Sequence, residues 1–300
     1  MYSFTMKIPF GLHRRIPLVR RPFWQRDTAR AERDAALAER DAALAERDAA
    51  LAAHHKGGFR QQGEDLSILI ETWRKGIGGE LKFWDGYFAA KGMPSPHTLG
   101  KRLDPELPVQ ERVAALLPNK PHIRILDVGA GPLTSLGKRY DGTHIEITAM
   151  DPLADEYDVI LAKHGVVPVV RTLKCFGENL TELFRPNTFD LAFARNSLDH
   201  SYDPALIICN MLTVVRQGSF VLLEHHIDEA KRQRYEGLHQ WNFSLNQNGN
   251  FIVESRRGII NVSQRYADRA VISSEIIRPS VEDESADDWL ITRLHKNATL

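Results

Sequence analysis

The sequence predicts an α/β protein: a mostly parallel sheet with helices on both faces, preceded by an N-terminal helical coiled coil. Three observations predict it. An apolar run (Ile123, Ile125, Leu126) leads into Asp127-Val-Gly-Ala-Gly-Pro-Leu133, and a second run, Ile145-Glu-Ile-Thr-Ala-Met150, ends on Asp151. Strand, glycine turn, helix, strand, acid is the layout of a nucleoside-binding crossover unit. Beyond it, strand-like and helix-like segments alternate, the rhythm of a parallel sheet. Before it, a seven-residue unit recurs without a break.

That unit is Arg33-Asp-Ala-Ala-Leu-Ala-Glu39, repeated at 40–46 and, with one change, at 47–53; 26–32 is a degenerate copy. A strict heptad of strong helix formers predicts a helix of about 42 Å at ~1.5 Å per residue. Its seam is ambiguous. Leu37, Leu44 and Leu51 recur every seven residues, whereas the alternation by three and four is carried by alanines. Alanine buries little area, so the coil needs several strands or an oligomeric neighbour. An oligomerising coil and a solvated single helix both fit. His54-His-Lys-Gly-Gly58 closes the segment, because paired glycines stop helices.

Four domains follow: a basic, aromatic tail over 1–25, the coil over 26–56, a helical cover over 57–118, and the sheet domain over 119–300. The tail mixes Arg14, Arg15, Arg20 and Arg21 with Phe10, Phe23 and Trp24. That mixture suits an anionic membrane surface, and equally a disordered tail or a docking peptide. Within the cover, Asp65 to Trp73 and Glu80 to Phe88 read as helices separated by Gly78-Gly79, and Val109 to Leu117 as a third. In the sheet domain, strands are expected at 123–128, 145–150, 167–173, 189–194 and 219–224. Helices are expected at about 133–140, 153–164, 178–184 and 204–215. A charged helix (Asp228 to Glu236), a hairpin around Asn246 to Gly249, a short helix near 261–266 and strands at 270–277 and 289–295 complete the chain.

Composition narrows the classes. Lys+Arg and Asp+Glu are 39 each, so no basic field points to nucleic acid. Two cysteines, Cys175 and Cys209, form no framework, which with the lack of a secretory pattern favours a reducing cytoplasm. No apolar run reaches the ~18 residues of a membrane span.

Five segments in order give the chain a family resemblance: Ile125-Leu-Asp-Val-Gly-Ala-Gly131, Asp151, Gly177-Glu-Asn-Leu180, Phe189-Asp-Leu-Ala-Phe-Ala-Arg-Asn-Ser-Leu-Asp-His200 and Arg216-Gln-Gly-Ser-Phe-Val-Leu-Leu-Glu224. Over roughly 105–300 the chain resembles the class I S-adenosylmethionine-dependent methyltransferases. The resemblance implies their Rossmann-like fold, a mostly parallel seven-stranded sheet, and S-adenosylmethionine as cofactor. Gly129 and Gly131 let the backbone approach it. By the same resemblance Asp127 holds its ammonium end, Asp151 accepts from the ribose diol, and Pro152 follows on the same turn. The residue reading the adenine edge aligns near Phe176, which cannot accept that bond. Stacking by Phe176, with Glu178 or a backbone group reading the edge, is expected instead. A dinucleotide enzyme wants glycine at Thr134, which is missing. A nucleotide-binding oxidoreductase and a non-catalytic scaffold assembled through the coil are the competing readings.

Arg195 and Asn196 follow the fourth strand, where an open sheet binds its ligand, and are expected at the sulfonium or the acceptor. His200 is a candidate general base or a structural contact; His225 or His226 is the rival base. Glu224, His225, His226 and Asp228 show no fixed ligand spacing, so no metal is expected. Gly237-Leu-His-Gln-Trp-Asn-Phe243 offers His239 and Trp241 to a ring-bearing acceptor, with a core tryptophan as the plain alternative. The expected acceptor is a hydroxyl on a small molecule or glycan. The expected partners are that acceptor, further copies of the chain through the coil, and a membrane surface through the tail, with no nucleic acid.

Overall fold

The computed structural model describes residues 66–94, 96–140, 142–278 and 288–298. The tail and the heptad repeat lie outside them. The described chain is built on a seven-stranded sheet of order β3-β2-β1-β4-β5-β10-β9. β1 (His122–Val128), β2 (His144–Asp151), β3 (Leu173–Lys174), β4 (Phe189–Arg195) and β5 (Val215–His226) run parallel, as their registers show. β10 (Trp289–Lys296) enters antiparallel between β5 and β9 (Ala270–Ile277). The expected parallel sheet with a terminal antiparallel pair is therefore present.

Each face of the sheet has its own apolar layer. On one side Ile207, Ile208, Met211 and Leu212 of α6 (Pro204–Val214) bury against Leu126, Ala192 and Leu223. Asp203 caps this helix by accepting the Leu206 N–H at 3.0 Å, and Pro204 follows at its first turn. A three-stranded meander continues the layer with Phe243, Phe251 and Val253: β6 (Asn242–Leu245), β7 (Phe251–Ser255) and β8 (Gly258–Asn261). The hairpin expected around Asn246 to Gly249 joins the first two. On the other side Ile123, Ile125, Phe193, Leu222 and Ile291 pack under Val113 and Leu136.

The helical cover is a 24-residue helix, α1 (Leu66–Ala89), followed by α2 (Pro96–Leu103) and the short α3 (Glu111–Ala114). α1 runs straight through Gly78-Gly79, where two helices with a break are expected. Burial of Trp84, Tyr87 and Phe88 against Leu153 and against Tyr157 and Leu161 of the helix that follows it, α4 (Ala154–Lys163), holds it together. Gly76 also fits there for want of a side chain: a Cβ would stand 2.5 Å from Leu238 Cδ2. Two short helices, α5 (Leu180–Leu183) and α7 (Glu229–Arg232), and α8 (Val262–Arg265) complete the set.

Two further elements differ from expectation. Residues 133–140 form no helix. Their backbone groups pair instead with the cover segment: Lys138 and Arg139 donate to Leu107 O at 2.7 and 3.1 Å, and Val109 donates to Arg139 O at 2.8 Å. Gly137 sits so close to Pro108 that a Cβ would lie 2.0 Å from its carbonyl oxygen. The strand expected at 167–173 shrinks to Leu173–Lys174. Pro168 lacks a donor for a ladder, and Val167 is exposed, so the apolar run has nothing to bury against.

Candidate active site

The carboxyl ends of β1, β2 and β4 open into a cavity of about 660 Å³. Its floor is the glycine turn after β1. Gly129 and Gly131 both have left-handed φ, +69° and +63°. A Cβ on Gly129 would lie 2.4 Å from Ser197 Cβ, so the turn after β4 enforces this glycine directly. Ser197 fixes that approach by donating its hydroxyl to Val128 O at 3.0 Å. Gly131 faces Trp84 of α1, 3.2 Å from where its Cβ would be.

Asp127 and Asp151 stand at the ends of β1 and β2, on either side of the turn, and both are buried. Asp127 accepts the Thr134 hydroxyl at 2.5 Å. Burial pushes its carboxyl up to about 6, opposed by that bond and by Arg102. Asp151 accepts backbone N–H groups from Leu153 at 2.9 Å on Oδ1 and from Gly131 at 3.1 Å on Oδ2. Burial pushes it up to about 7 against those two bonds. Each oxygen keeps a lone pair, so the carboxylate suits a diol. Pro152 and Phe176 also line the cavity, the Phe176 ring 5.0 Å from that of Trp73. Glu178 lines it too, but its Oε1 accepts the N–H groups of Tyr202 and Asp203, both at 3.1 Å, which ties it to the loop before α6. Burial raises its carboxyl to about 8.

Arg195 and Asn196 reach the cavity at the end of β4. Arg195 donates to the buried Glu224 at 3.0 Å and lies over the Trp289 ring at 4.4 Å. Glu224 also pairs with Arg112 of α3 at 2.6 Å.

The candidate histidines divide. His200 and His239 both line the cavity and meet at Asp199. His239 Nδ1 lies 2.8 Å from Asp199 Oδ2, His200 Nε2 lies 3.4 Å from the same oxygen, and the two ring nitrogens are 3.2 Å apart. Burial alone would raise Asp199, but the two imidazoles hold it at about 2. His225 lies outside this cavity: its ring is buried and stacks on Phe243 at 4.1 Å, and burial holds it down at about 4. His226 turns to the opposite face of β5, against Trp289 at 3.9 Å. A proton acceptor for this cavity is therefore sought in the Asp199 cluster. Trp241 is a core residue, its indole N–H donating to Ser201 O at 2.8 Å, and it does not line the cavity.

The cover supplies side chains with no motif to announce them: Trp73, Glu80 and Trp84 from α1 and Arg102 from α2. Glu80 accepts the Trp84 indole N–H at 2.8 Å. Arg102 donates to Leu133 O beside the glycine turn. Their only trace in the sequence is the aromatic spacing of α1, which plain packing explains as well.

An open sheet of this order, with its crevice at the switch between β1 and β4, defines a nucleoside-binding α/β domain. Residues 126–223 match the family model described as a methyltransferase domain. The chain thus carries a methyltransferase domain over those residues, set within a sheet of the class I methyltransferase fold. No curated protein matches the chain. Among solved structures, the chain is similar to the YcgJ protein of Bacillus subtilis, at 13% identity over 60% of this chain and 94% of that one, with a TM-score of 0.39. It is similar to phosphoethanolamine N-methyltransferase 2 of Haemonchus contortus, at 13% identity over 62% of this chain and 51% of that one, with a TM-score of 0.44. A third is the 1,6-didemethyltoxoflavin-N1-methyltransferase of Burkholderia thailandensis, at 15% identity over 71% and 87%, with a TM-score of 0.39.

Proposed function

We propose that this protein transfers a methyl group from S-adenosylmethionine to a hydroxyl of a small molecule or glycan. The observation that carries the proposal is the Asp199–His200–His239 cluster, which opens onto the same cavity as the glycine turn and Asp151. The residues fit the cofactor. Gly129 and Gly131 present bare backbone to the cavity, Asp151 offers paired acceptors to a ribose, Phe176 offers a ring face, and Asp127 suits an ammonium group. Bound there, the cofactor supplies an electrophilic methyl on a sulfonium.

The chain's own part is alignment, exclusion of water and removal of charge. Trp73, Trp84 and Trp289 wall the cavity. Arg195, steadied by Glu224 and Trp289, and Asn196 flank the path to the methyl group. A hydroxyl that attacks the methyl must lose its proton, and the Asp199–His200–His239 cluster is the polar group of this cavity placed to promote that loss.

Calorimetry with S-adenosylmethionine, followed by an acceptor screen with labelled cofactor, tests this. Asp151→Ala should weaken cofactor binding by at least ~100-fold, and unchanged affinity refutes the ribose assignment. His200→Ala should bind the cofactor within about threefold of wild type yet lose about 10²–10⁴-fold in turnover. Normal turnover refutes the role of the cluster.

A further inference from the structure

We propose that Asp199, His200 and His239 form a site for a divalent first-row cation such as Zn²⁺, Mn²⁺ or Fe²⁺. The use of the cation rests on the methyl-transfer reading above; its binding rests on these side chains alone.

Two elements bring the three donors together. Asp199 and His200 lie on the 3₁₀ turn Leu198–His200 that leaves β4, and His239 comes from the loop before β6. The two segments are tied by the Gln240 N–H, which donates to Asp199 O at 3.0 Å. The donor atoms then stand 2.8, 3.2 and 3.4 Å from one another. Ligand bonds of ~2.0–2.2 Å place neighbouring ligand atoms about 3.0–3.5 Å apart, so shifts of a few tenths of an ångström complete the site.

Protons alone satisfy the cluster only in part, since Asp199 Oδ1 keeps no partner in either protonation state. With one proton on His239, the lone pair of His200 Nε2 faces the Asp199 oxygen at 3.4 Å. With a proton on each facing nitrogen, both N–H groups share one Asp199 oxygen, at 2.8 and 3.4 Å, and the two nitrogens stand 3.2 Å apart. A cation satisfies all three atoms at once.

Two further features fit a cation. Asp199 is only 1% exposed, and its Oδ1 has no hydrogen-bond partner. A fully buried carboxylate oxygen in that condition is costly unless a charge lies beside it. The other ring nitrogen of His200, Nδ1, lies 3.7 Å from Glu80 Oε2. A carboxylate behind a ligating imidazole is the usual device for orienting it. Two imidazoles and one carboxylate favour Zn²⁺, Mn²⁺ or Fe²⁺ over the all-oxygen preferences of Ca²⁺ and Mg²⁺.

His200 and His239 face the cavity, so the cation has an open position for the acceptor. Bound there, the acceptor hydroxyl is more acidic and gives its proton to water. An oxygen lone pair forms the O–CH₃ bond while the S–CH₃ pair moves to sulfur. The products are a methyl ether, S-adenosylhomocysteine and one proton.

The test uses the full chain, stripped with chelator and titrated with Zn²⁺ by calorimetry, with Co²⁺ absorption as a second signal. Wild type should take up about one equivalent with micromolar affinity or better. His200→Ala and His239→Ala should each weaken uptake about 10–100-fold while binding S-adenosylmethionine as wild type does. Asp199→Asn should behave likewise; should it fail to fold, the two histidine variants decide. No uptake by wild type overturns the proposal. So does uptake that both histidine variants retain, as binding at the sequence's adjacent His54 and His55 would give. Cofactor affinity of the same stripped protein separates the two readings. Zn²⁺ uptake without cofactor binding supports the cation site while removing the methyl-transfer reading. Cofactor binding without Zn²⁺ uptake overturns the cation site alone.

Discussion

Three acids at the rim of the sheet, Asp127, Asp151 and Glu178, are raised by burial to about 6, 7 and 8. Each holds its proton more tightly in the folded chain than in the unfolded one. The cofactor-free fold is therefore favoured at low pH and loses stability as pH rises through those values. Denaturation midpoints of the free protein should fall between about pH 4 and 8, from the unfolded carboxyl range up to the folded values, and Asp151→Asn should flatten that fall. Cofactor affinity runs the other way, because a ribose diol needs the ionised Asp151. With its pKa near 7, affinity at pH 6 should be about tenfold weaker than at pH 8, and a flat profile would remove Asp151 from the site. A different residue tests stability alone. Glu224 is 1% exposed between Arg112 and Arg195, and Glu224→Ala leaves both cations without it. Both arginines are about a third exposed, so the expected loss is about 2–4 kcal/mol, read as a lower denaturant midpoint.

Among the elements, α1 is the instructive one. Its glycines are chemically alike and structurally opposite. Gly76 is buried against Leu238 and the Gly237 backbone, so Gly76→Ala should cost about 1–3 kcal/mol and disturb the wall carrying Glu80 and Trp84. Gly78 and Gly79 are exposed with nothing within 4 Å, so alanine there should add about 0.5–1 kcal/mol each. Equal effects at all three positions, measured by thermal melts, would contradict this packing. The sequence shows only that two glycines interrupt a good helical pattern; burial of Trp84, Tyr87 and Phe88 decides that the helix continues. The same competition explains other differences. β1, β2, β4 and β10 are legible because alternating or continuous apolar runs meet a sheet that buries them. Residues 133–140 follow the usual pattern of a helix after a glycine turn, yet Gly137 accepts the backbone of Pro108 and the segment pairs with the cover. At the site, Asp127, Gly129, Gly131 and Asp151 are readable because they are local to strand ends. The meeting of His239 with Asp199 and His200 is not, since α6, β5 and α7 separate them in sequence, and no spacing rule links them.

For the molecule as a whole, the site draws on the cover, the parallel strands and the last strand together. Among the described residues, no helix is long and apolar enough to cross a membrane. The coil over 26–56 is our proposed route to a homo-oligomer, and the tail our proposed membrane contact. Deleting residues 1–56 should lower the mass seen by light scattering and leave S-adenosylmethionine affinity unchanged; an unaltered mass would count against the coil.

β10 lies between β5 and β9, pairs with both, and brings Trp289 to the cavity. During synthesis the glycine turn and both aspartates emerge well before this strand. Until residues 289–296 clear the ribosome, the nascent domain has an unpaired edge on β5 and a cleft short of one side. A stop codon that removes residues 289–296 should therefore leave a fragment with a sticky β5 edge and a cleft lacking its Trp289 wall.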